Sequence, residues 1–305
     1  MTNNYFLVFD VGGQFIRGGA FNQHGDYMNS SFSFFPAKSQ ESADIILENL
    51  TNIICNQINR IFDENYVIKG IGFAFPGPFD YENGISYIRD VKKYNSLYGL
   101  NIRQEIWERL TKRKTFNRIS KDVMFFFQNN VSMFALGEWK ERKYNNQIKR
   151  GIFLTVGSGI GSAFLENGMF ITSRKDVPPN GWIYKLPFHN SIIDDYISHR
   201  GIMKIAQDMG IKNDMNWITD KYKEGDYKAI DLFNRFGRYF GEVLTKVNED
   251  FQSDIIVIGG EISKLFPYYE SGLMECFKDK TTPIVLSKQT ELSTFNGLLE
   301  YYEQH

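Results

Sequence analysis

The sequence predicts an α/β chain of two lobes, each a mixed β-sheet flanked by helices, with a ligand cleft between the lobes. Three observations lead there. Two glycine-rich turns sit between apolar strands, at residues 10–13 and 157–161. Helical periodicity follows each hairpin. The chain has 305 residues, 42% of them hydrophobic, which suits two medium cores.

The opening YFLVFDVGGQFIRGGAFNQHGD reads as strand, tight turn at Gly12-Gly13, strand, and a second turn at Gly25-Asp26. Residues 43–62 carry Ile46, Leu47, Leu50, Ile53, Ile54, Ile58 and Ile61 at helical spacing, so a helix follows. IKGIGFAFPGPFD is a short buried strand closed by Pro76-Gly77-Pro78. Residues 101–110 read as helix, 123–127 as a buried strand, and 131–139 as helix, which puts Asn130 at a strand-to-helix junction. A lobe boundary is expected near residues 113–118, giving an N-terminal lobe of 1–115, completed by a terminal helix within 290–305, and a C-terminal lobe of 116–289. After a basic stretch at 140–150 the hairpin pattern returns as GIFLTVGSGIGSAFLENGMFI, which suggests two sheets built alike. Residues 201–209 and 230–247 read as helices, 254–260 and 284–286 as strands, and 293–302 as the last helix. Segment 172–190 has two adjacent prolines and no sustained period, and is read as a surface loop.

Composition narrows the function classes. A formal charge of -1 with 23% charged residues offers no global field for polyanions, so nucleic acid is not an expected partner. Two cysteines, Cys55 and Cys276, lie far apart without metal-ligand spacing and fit a reduced, cytoplasmic setting. The first strand begins almost at residue 1, and Asp10 stops the apolar run well short of the roughly 20 residues a membrane span needs. No leader, membrane partner or leading DNA-binding segment is expected.

The chemistry rests on the turns. Glycines between strands expose successive amide N–H groups, and such a nest holds phosphate oxygens. Gly12-Gly13 and Gly157-Ser158-Gly159 supply this, with Ser158 adding a hydroxyl; ordinary tight hairpins remain the alternative. Gly259-Gly260 after a buried strand would let a flat ring approach the backbone. Asp10 is placed to hold Mg²⁺ through water beside the phosphates, or to accept from the turn amides.

These residues resemble the ROK family of repressors and sugar kinases, within the actin-like ATPase (ribonuclease H-like) fold. DVGGQFIRGGAF looks like the first phosphate loop, GIGFAFPGPFD like the turn lining the sugar pocket, QNNVSMFALGE like the catalytic strand-helix junction, TVGSGIGSAF like the second phosphate loop, and DIIVIGGEIS like the strand beside adenosine. The resemblance implies ATP and Mg²⁺ as cofactors, with Gly12, Gly13, Gln14, Gly157, Ser158, Gly159, Gly161, Gly259 and Gly260 around the nucleotide. It places Asn129, Pro76 and Gly77 on the sugar, with Asp194 or Asp195 near the family's last sugar-contacting Glu. It also implies a homodimer.

Three departures stand out. The family junction reads Glu-Asn-Asp; here Gln128-Asn129-Asn130 puts Asn130 where the base that deprotonates the sugar hydroxyl should be. A carboxamide cannot take that proton near neutral pH. The family's cysteine-rich zinc loop is replaced by TSRKDVPPNGWIYKLPFHNSIIDDYISHRG, which has no cysteine, so no structural zinc is expected despite His189 and His199. Gln14 stands where the family has Thr. Three readings stay open: an ATP-dependent sugar kinase in which Asp80 or Asp194 replaces the base, an inactive sugar- or nucleotide-binding regulator derived from such a kinase, and a non-catalytic assembly partner, for which only the 16% aromatic content speaks.

Overall fold

A computed structural model describes residues 2–89, 93–142 and 148–305. The chain divides into two compact units, Met1–Lys140 with Glu291–His305, and Glu141–Thr290.

In the first unit, β1 (Asn3–Val11) and β2 (Phe15–Asn22) form the glycine hairpin, and β3 (Ser33–Pro36) extends it. Helix α1 (Ala43–Ile58) follows, its first turn capped by Ser42, and ends at Ile58 rather than Phe62, whose side chain is exposed. β4 (Tyr66–Phe75) lies parallel to β1; β5 (Phe79–Asp80) and β6 (Ile85–Ser86) make a small hairpin beyond it. Then come α2 (Ile102–Leu110), β7 (Ile119–Asn129) and α3 (Asn130–Arg142). The sheet order is β3-β2-β1-β4-β7. Along β1 the side chains alternate: Leu7, Phe9 and Val11 enter one core with α1, while Phe6 and Val8 enter another with Met133 and Leu136 of α3 and with Phe295, Leu298 and Leu299.

The expected boundary at 115/116 is corrected here. β7 pairs in parallel with β4 from Gly70↔Met124 to Phe75↔Asn129, so residues 119–140 belong to the first sheet and its helix layer.

The second unit repeats the plan. β8 (Arg150–Val156) and β9 (Ile160–Glu166) are the hairpin, β10 (Met169–Phe170) its antiparallel extension, and the parallel strands come later in the chain. Between them lie the small hairpin β11 (Pro187–Phe188) and β12 (Ser191–Ile192), and the helices α4 (His199–Asp208), α5 (Met215–Lys223) and α6 (Tyr227–Phe251). β13 (Ile255–Gly259), α7 (Phe266–Cys276) and β14 (Ile284–Leu286) complete it, in the order β10-β9-β8-β13-β14. In both sheets an antiparallel hairpin edge joins two parallel strands through the hairpin's first strand. Segment 172–190 is not a mere surface excursion: Val177, Ile183 and Phe188 are buried in the second core, and Ser162 Oγ donates to Gly181 O at 2.6 Å. Residues 143–147 of the basic stretch lie outside the described residues. No helix among the described residues is long and apolar enough to cross a membrane.

The last helix, α8 (Thr290–Gln304), returns to the first unit and crosses α3 at backbone contact. A Cβ on Gly137 would stand 1.8 Å from Ser293 O, and one on Gly297 1.8 Å from Met133 O. No side chain fits there. Gly297→Ala is therefore expected to cost at least about 2–3 kcal/mol through forced separation of the two helices. Urea denaturation measures this, and an unchanged midpoint would show that the crossing is not rigid.

Candidate active site

Parallel strands β1, β4 and β7 end at the same edge of the first sheet, with Asp10, Ala74 and Gln128 in register across it. Ligands of parallel sheets are held at this edge. Asn130 opens α3 just past it. Its Nδ2 donates to Asp10 Oδ1 at 2.8 Å, Ala74 O at 3.1 Å and Val11 O at 3.3 Å. All three partners are acceptors, so the amide has one sensible orientation, and its Oδ1 faces away with no donor among the described residues. Asn129 is differently employed. Its Oδ1 accepts from Val131 N at 3.1 Å and Ser132 N at 3.4 Å, capping α3, while its Nδ2 donates to Tyr81 Oη at 2.9 Å.

Asp10 is 16% exposed and sits directly across the hairpin from Arg17, whose Nη1 lies 3.7 Å from Asp10 Oδ2; Arg17 Nε reaches Glu291 at 3.3 Å. Burial pushes the Asp10 carboxyl above its usual range, opposed by the Asn130 hydrogen bond and the Arg17 charge. At 3.7 Å the guanidinium leaves Oδ2 able to accept a water. A carboxylate with one oxygen oriented and one open to water fits a water-mediated Mg²⁺ role.

The glycine turn beside it is oriented by its carbonyls. Tyr94 Oη donates to Gly12 O at 2.7 Å, and Ser39 Oγ donates to Gly13 O. In a trans peptide the N–H points opposite to the C=O, so the amides of Gly13 and Gln14 are turned the other way, and neither finds an acceptor among the described residues. Gly12 N is spent on Phe15 O at 2.9 Å. Two of the three expected amide donors are thus open, while the Gln14 side chain makes no hydrogen bond to a described residue.

In the second unit Gly157 N donates to Gly159 O at 2.9 Å, which leaves the amides of Ser158 and Gly159 without acceptors among the described residues. Asp194 backs this turn: its Oδ1 accepts from Ile160 N at 2.7 Å and its Oδ2 from Arg200. Burial holds the Asp194 carboxyl above its usual range, against the pull of the Ile160 amide and Arg200. Gly161 continues β9, and Gly260, at φ 91°, packs against the end of β8, where a Cβ would meet Val156 O at 2.4 Å. Gly260 N donates to Thr290 Oγ1 at 2.9 Å, and Gly259 ends β13.

The first unit brings together Asp10, Gly12, Gly13, Gln14, Asn129 and Asn130, with Pro76 and Gly77 on the turn after β4; a Cβ on Gly77 would meet Tyr81 Oη at 3.1 Å. The two substitutes considered for the missing base are otherwise engaged. Asp80 accepts from Asn83 N and Nδ2, at 3.0 and 2.9 Å, which hold its carboxyl below its usual range and make it a poorer base. Asp194 belongs to the second hairpin. Asp195 accepts from Ser191 Oγ. His189 pairs with Glu242 at 3.1 Å among Phe188, Tyr196 and Tyr239, and His199 contributes its backbone N–H to Gly157 O at 2.8 Å. Among the described residues no cluster of three His, Cys, Asp or Glu stands ready for a metal ion. Sequence reasoning missed Tyr81, Tyr94 and Ser39, which reach the site from loops with no periodic signal. Arg17 carries no motif of its own in the sequence, and the hairpin register places it opposite Asp10.

The sequence profile of the ROK family matches residues 7–288. An N-acetyl-D-glucosamine kinase of Vibrio atlanticus (strain LGP32) is 23% identical over 286 residues, covering 87% of each chain. A glucokinase structure from Parabacteroides distasonis superposes with a TM-score of 0.74 at 20% identity, covering 100% of this chain and 98% of the other. A ROK family glucokinase from Streptomyces griseus, in complex with glucose and AMPPNP, gives a TM-score of 0.71 at 15% identity, covering 99% and 100%. The fold is that of the actin-like ATPases.

Asn130→Asp is expected to destabilise the protein by about 1–3 kcal/mol, because three donated hydrogen bonds become contacts between acceptors. Two adjacent carboxyls raise the folded-state pKa of the pair above the unfolded value. The charge penalty is then absent below the unfolded carboxylate range and grows as pH rises through the raised value. Urea midpoints should fall further below wild type at about pH 8 than at about pH 5; equal losses at both would disprove the carboxyl pairing.

Proposed function

Because the chain belongs to the ROK family, we propose that it is an ATP-dependent kinase that phosphorylates a hydroxyl of a hexose or N-acetylhexosamine. The observation that carries this reading is the set formed by the Asp10 carboxylate, the open Gly13 and Gln14 amides and the outward Oδ1 of Asn130, all at one edge of one sheet. The amides receive phosphate oxygens. Asp10 would hold Mg²⁺ through water, and that ion, bound with the nucleotide, neutralises charge on the phosphates. The Asn130 Oδ1 accepts a hydrogen bond from the attacking hydroxyl and aims its oxygen, without removing the proton. Phosphoryl transfer passes through a loose transition state in which little negative charge is needed on the nucleophile early on, so the proton can leave late, to a phosphate oxygen. The cost of working without a base is about 10²–10⁴ in rate. The class of sugar is supported by the N-acetyl-D-glucosamine kinases among the relatives.

A second reading keeps the same pockets without transfer: a sugar- or nucleotide-binding regulator. The Asn130 amide favours it, since the donors that order Asp10 leave no carboxylate at the hydroxyl position.

A coupled ADP-release assay with ATP, Mg²⁺ and a panel of hexoses, hexosamines and N-acetylhexosamines separates the two. Kinase activity should be sugar-dependent and slow, and Asp10→Asn should lower it by about a hundredfold or more. Binding of sugar and nucleotide by calorimetry with no ADP release would transfer support to the regulator. Absence of both binding and release at millimolar concentration would defeat both readings.

A further inference from the structure

The first glycine turn has a neighbour that nothing in its hairpin pattern announces. A Cβ placed on Gly13 would lie 3.1 Å from Lys93 Cδ and 4.0 Å from Lys93 Nζ. The lysine side chain therefore runs along the turn at Gly13, its stem in contact range and its ammonium slightly farther out.

The backbone that follows it is anchored there. Tyr94, the next residue, is fully buried, stacks its ring 5.3 Å from Phe75 at the end of β4, and reaches Gly12 O with its hydroxyl. Tyr94 N donates to Ser39 O at 2.6 Å, and Ser39 Oγ in turn donates to Gly13 O. Ser96 Oγ adds a bond to Glu41 O at 2.8 Å. The same contacts that turn the Gly13 and Gln14 amides outward thus fix the stem of Lys93 against the turn. Burial, with the Asp10 charge adding to it, pushes the Tyr94 phenol above its usual range, so it stays a donor.

From this juxtaposition, and resting on the kinase reading above, we infer that Lys93 is a phosphate-binding residue that selects the terminal phosphate of a nucleoside triphosphate. The choice of phosphate follows from position. Asn130, which orients the hydroxyl, is bonded to Asp10, and Asp10 lies three residues before Gly13 on the same hairpin. A phosphate seated on the Gly13 and Gln14 amides is the one nearest the hydroxyl, and hence the one transferred. An ammonium adds to two neutral N–H donors a full charge that a terminal phosphate, more anionic than a bridging one, uses best.

The test compares Mg²⁺–AMPPNP and Mg²⁺–ADP binding by calorimetry in wild type, Lys93→Met and Lys93→Arg. Lys93→Met is expected to weaken AMPPNP by about ten- to a hundredfold while leaving ADP within a few-fold, and Lys93→Arg to retain most of the affinity. In turnover, the KM for ATP should rise while the KM for sugar holds. Thermal melts of each variant separate a folding defect from a binding one. Equal losses for AMPPNP and ADP, or none for either, would overturn the assignment while leaving the kinase reading intact. Failure of the wild-type protein to bind either nucleotide would overturn both.

Discussion

The approach of α3 and α8 to backbone contact constrains the edge of the first sheet where Asp10 and Asn130 meet. Gly137 and Gly297 remove the side chains that would hold the helices apart, and the buried Glu138 receives a hydrogen bond from Ser293 Oγ at 2.5 Å across the same crossing. With its axis pinned there, α3 has one rotational setting. Gly137 lies seven residues, about two turns, beyond Asn130, so the crossing sets the direction in which the first residue of the helix points. The second unit uses the same device between α6 and α7, where a Cβ on Gly237 would meet Tyr269 O at 2.2 Å and one on Gly272 would meet Asn234 O at 2.2 Å.

That constraint gives the asparagine at 130 a definite physical meaning. Three acceptors face the position, and a carboxamide meets them with the two hydrogens of its N–H₂ group, one of them shared, while an ionised carboxylate would not. Asp10 gains from the exchange: its carboxyl is pushed up by burial, and the Asn130 donor is the first of the groups that restore its charge. The neutral residue therefore favours the ionised form of Asp10, the acid that the kinase reading assigns to magnesium. On the proposed kinase reading, a base is given up at the hydroxyl, and a better-ordered carboxylate results at the phosphate side. This is a consistent arrangement for slow transfer or for binding, and a poor one for rapid proton abstraction.

The fold was readable wherever the signal was local. Glycine turns between apolar strands mark both hairpins, and Phe6–Val8 against Leu7–Phe9 shows the period of a strand buried on two faces. The boundary at 115/116 failed because β7 takes its place from β4, more than forty residues away, and no feature of 119–129 names its partner. Segment 172–190 looked structureless because three separated side chains, Val177, Ile183 and Phe188, anchor it without any period. At the site, Asp10 and the glycines were legible from type and spacing. Tyr94 and Lys93 were not, since their nearness to the turn is created by the packing of a loop. The turn use of Asp80 was available in principle: Asp-Tyr-Glu-Asn-Gly carries the side-chain-to-backbone pattern of an Asx turn.

The two hairpins show how one backbone device can be supported by opposite charges. At the first, a lysine lies along the turn, and its carbonyls are tied down by Tyr94 and Ser39. At the second, the carboxylate of Asp194 accepts from Ile160 N immediately after the turn, and Arg200 offsets that charge. A lone carboxylate beside open amides would repel phosphate; paired with a guanidinium, it braces the turn while leaving the Ser158 and Gly159 amides unspent. Arg200 is 62% exposed, so water screens the pair and its contribution to stability is small, but the restraint on the turn does not depend on that energy. A Cβ on Gly159 would come within 2.7 Å of Asp194 Oδ1, so the turn residue and the acid fit only as a set. Asp194 thus reads as part of the second hairpin's frame, and contact with a sugar would require the carboxylate to leave an amide and a guanidinium that already satisfy it.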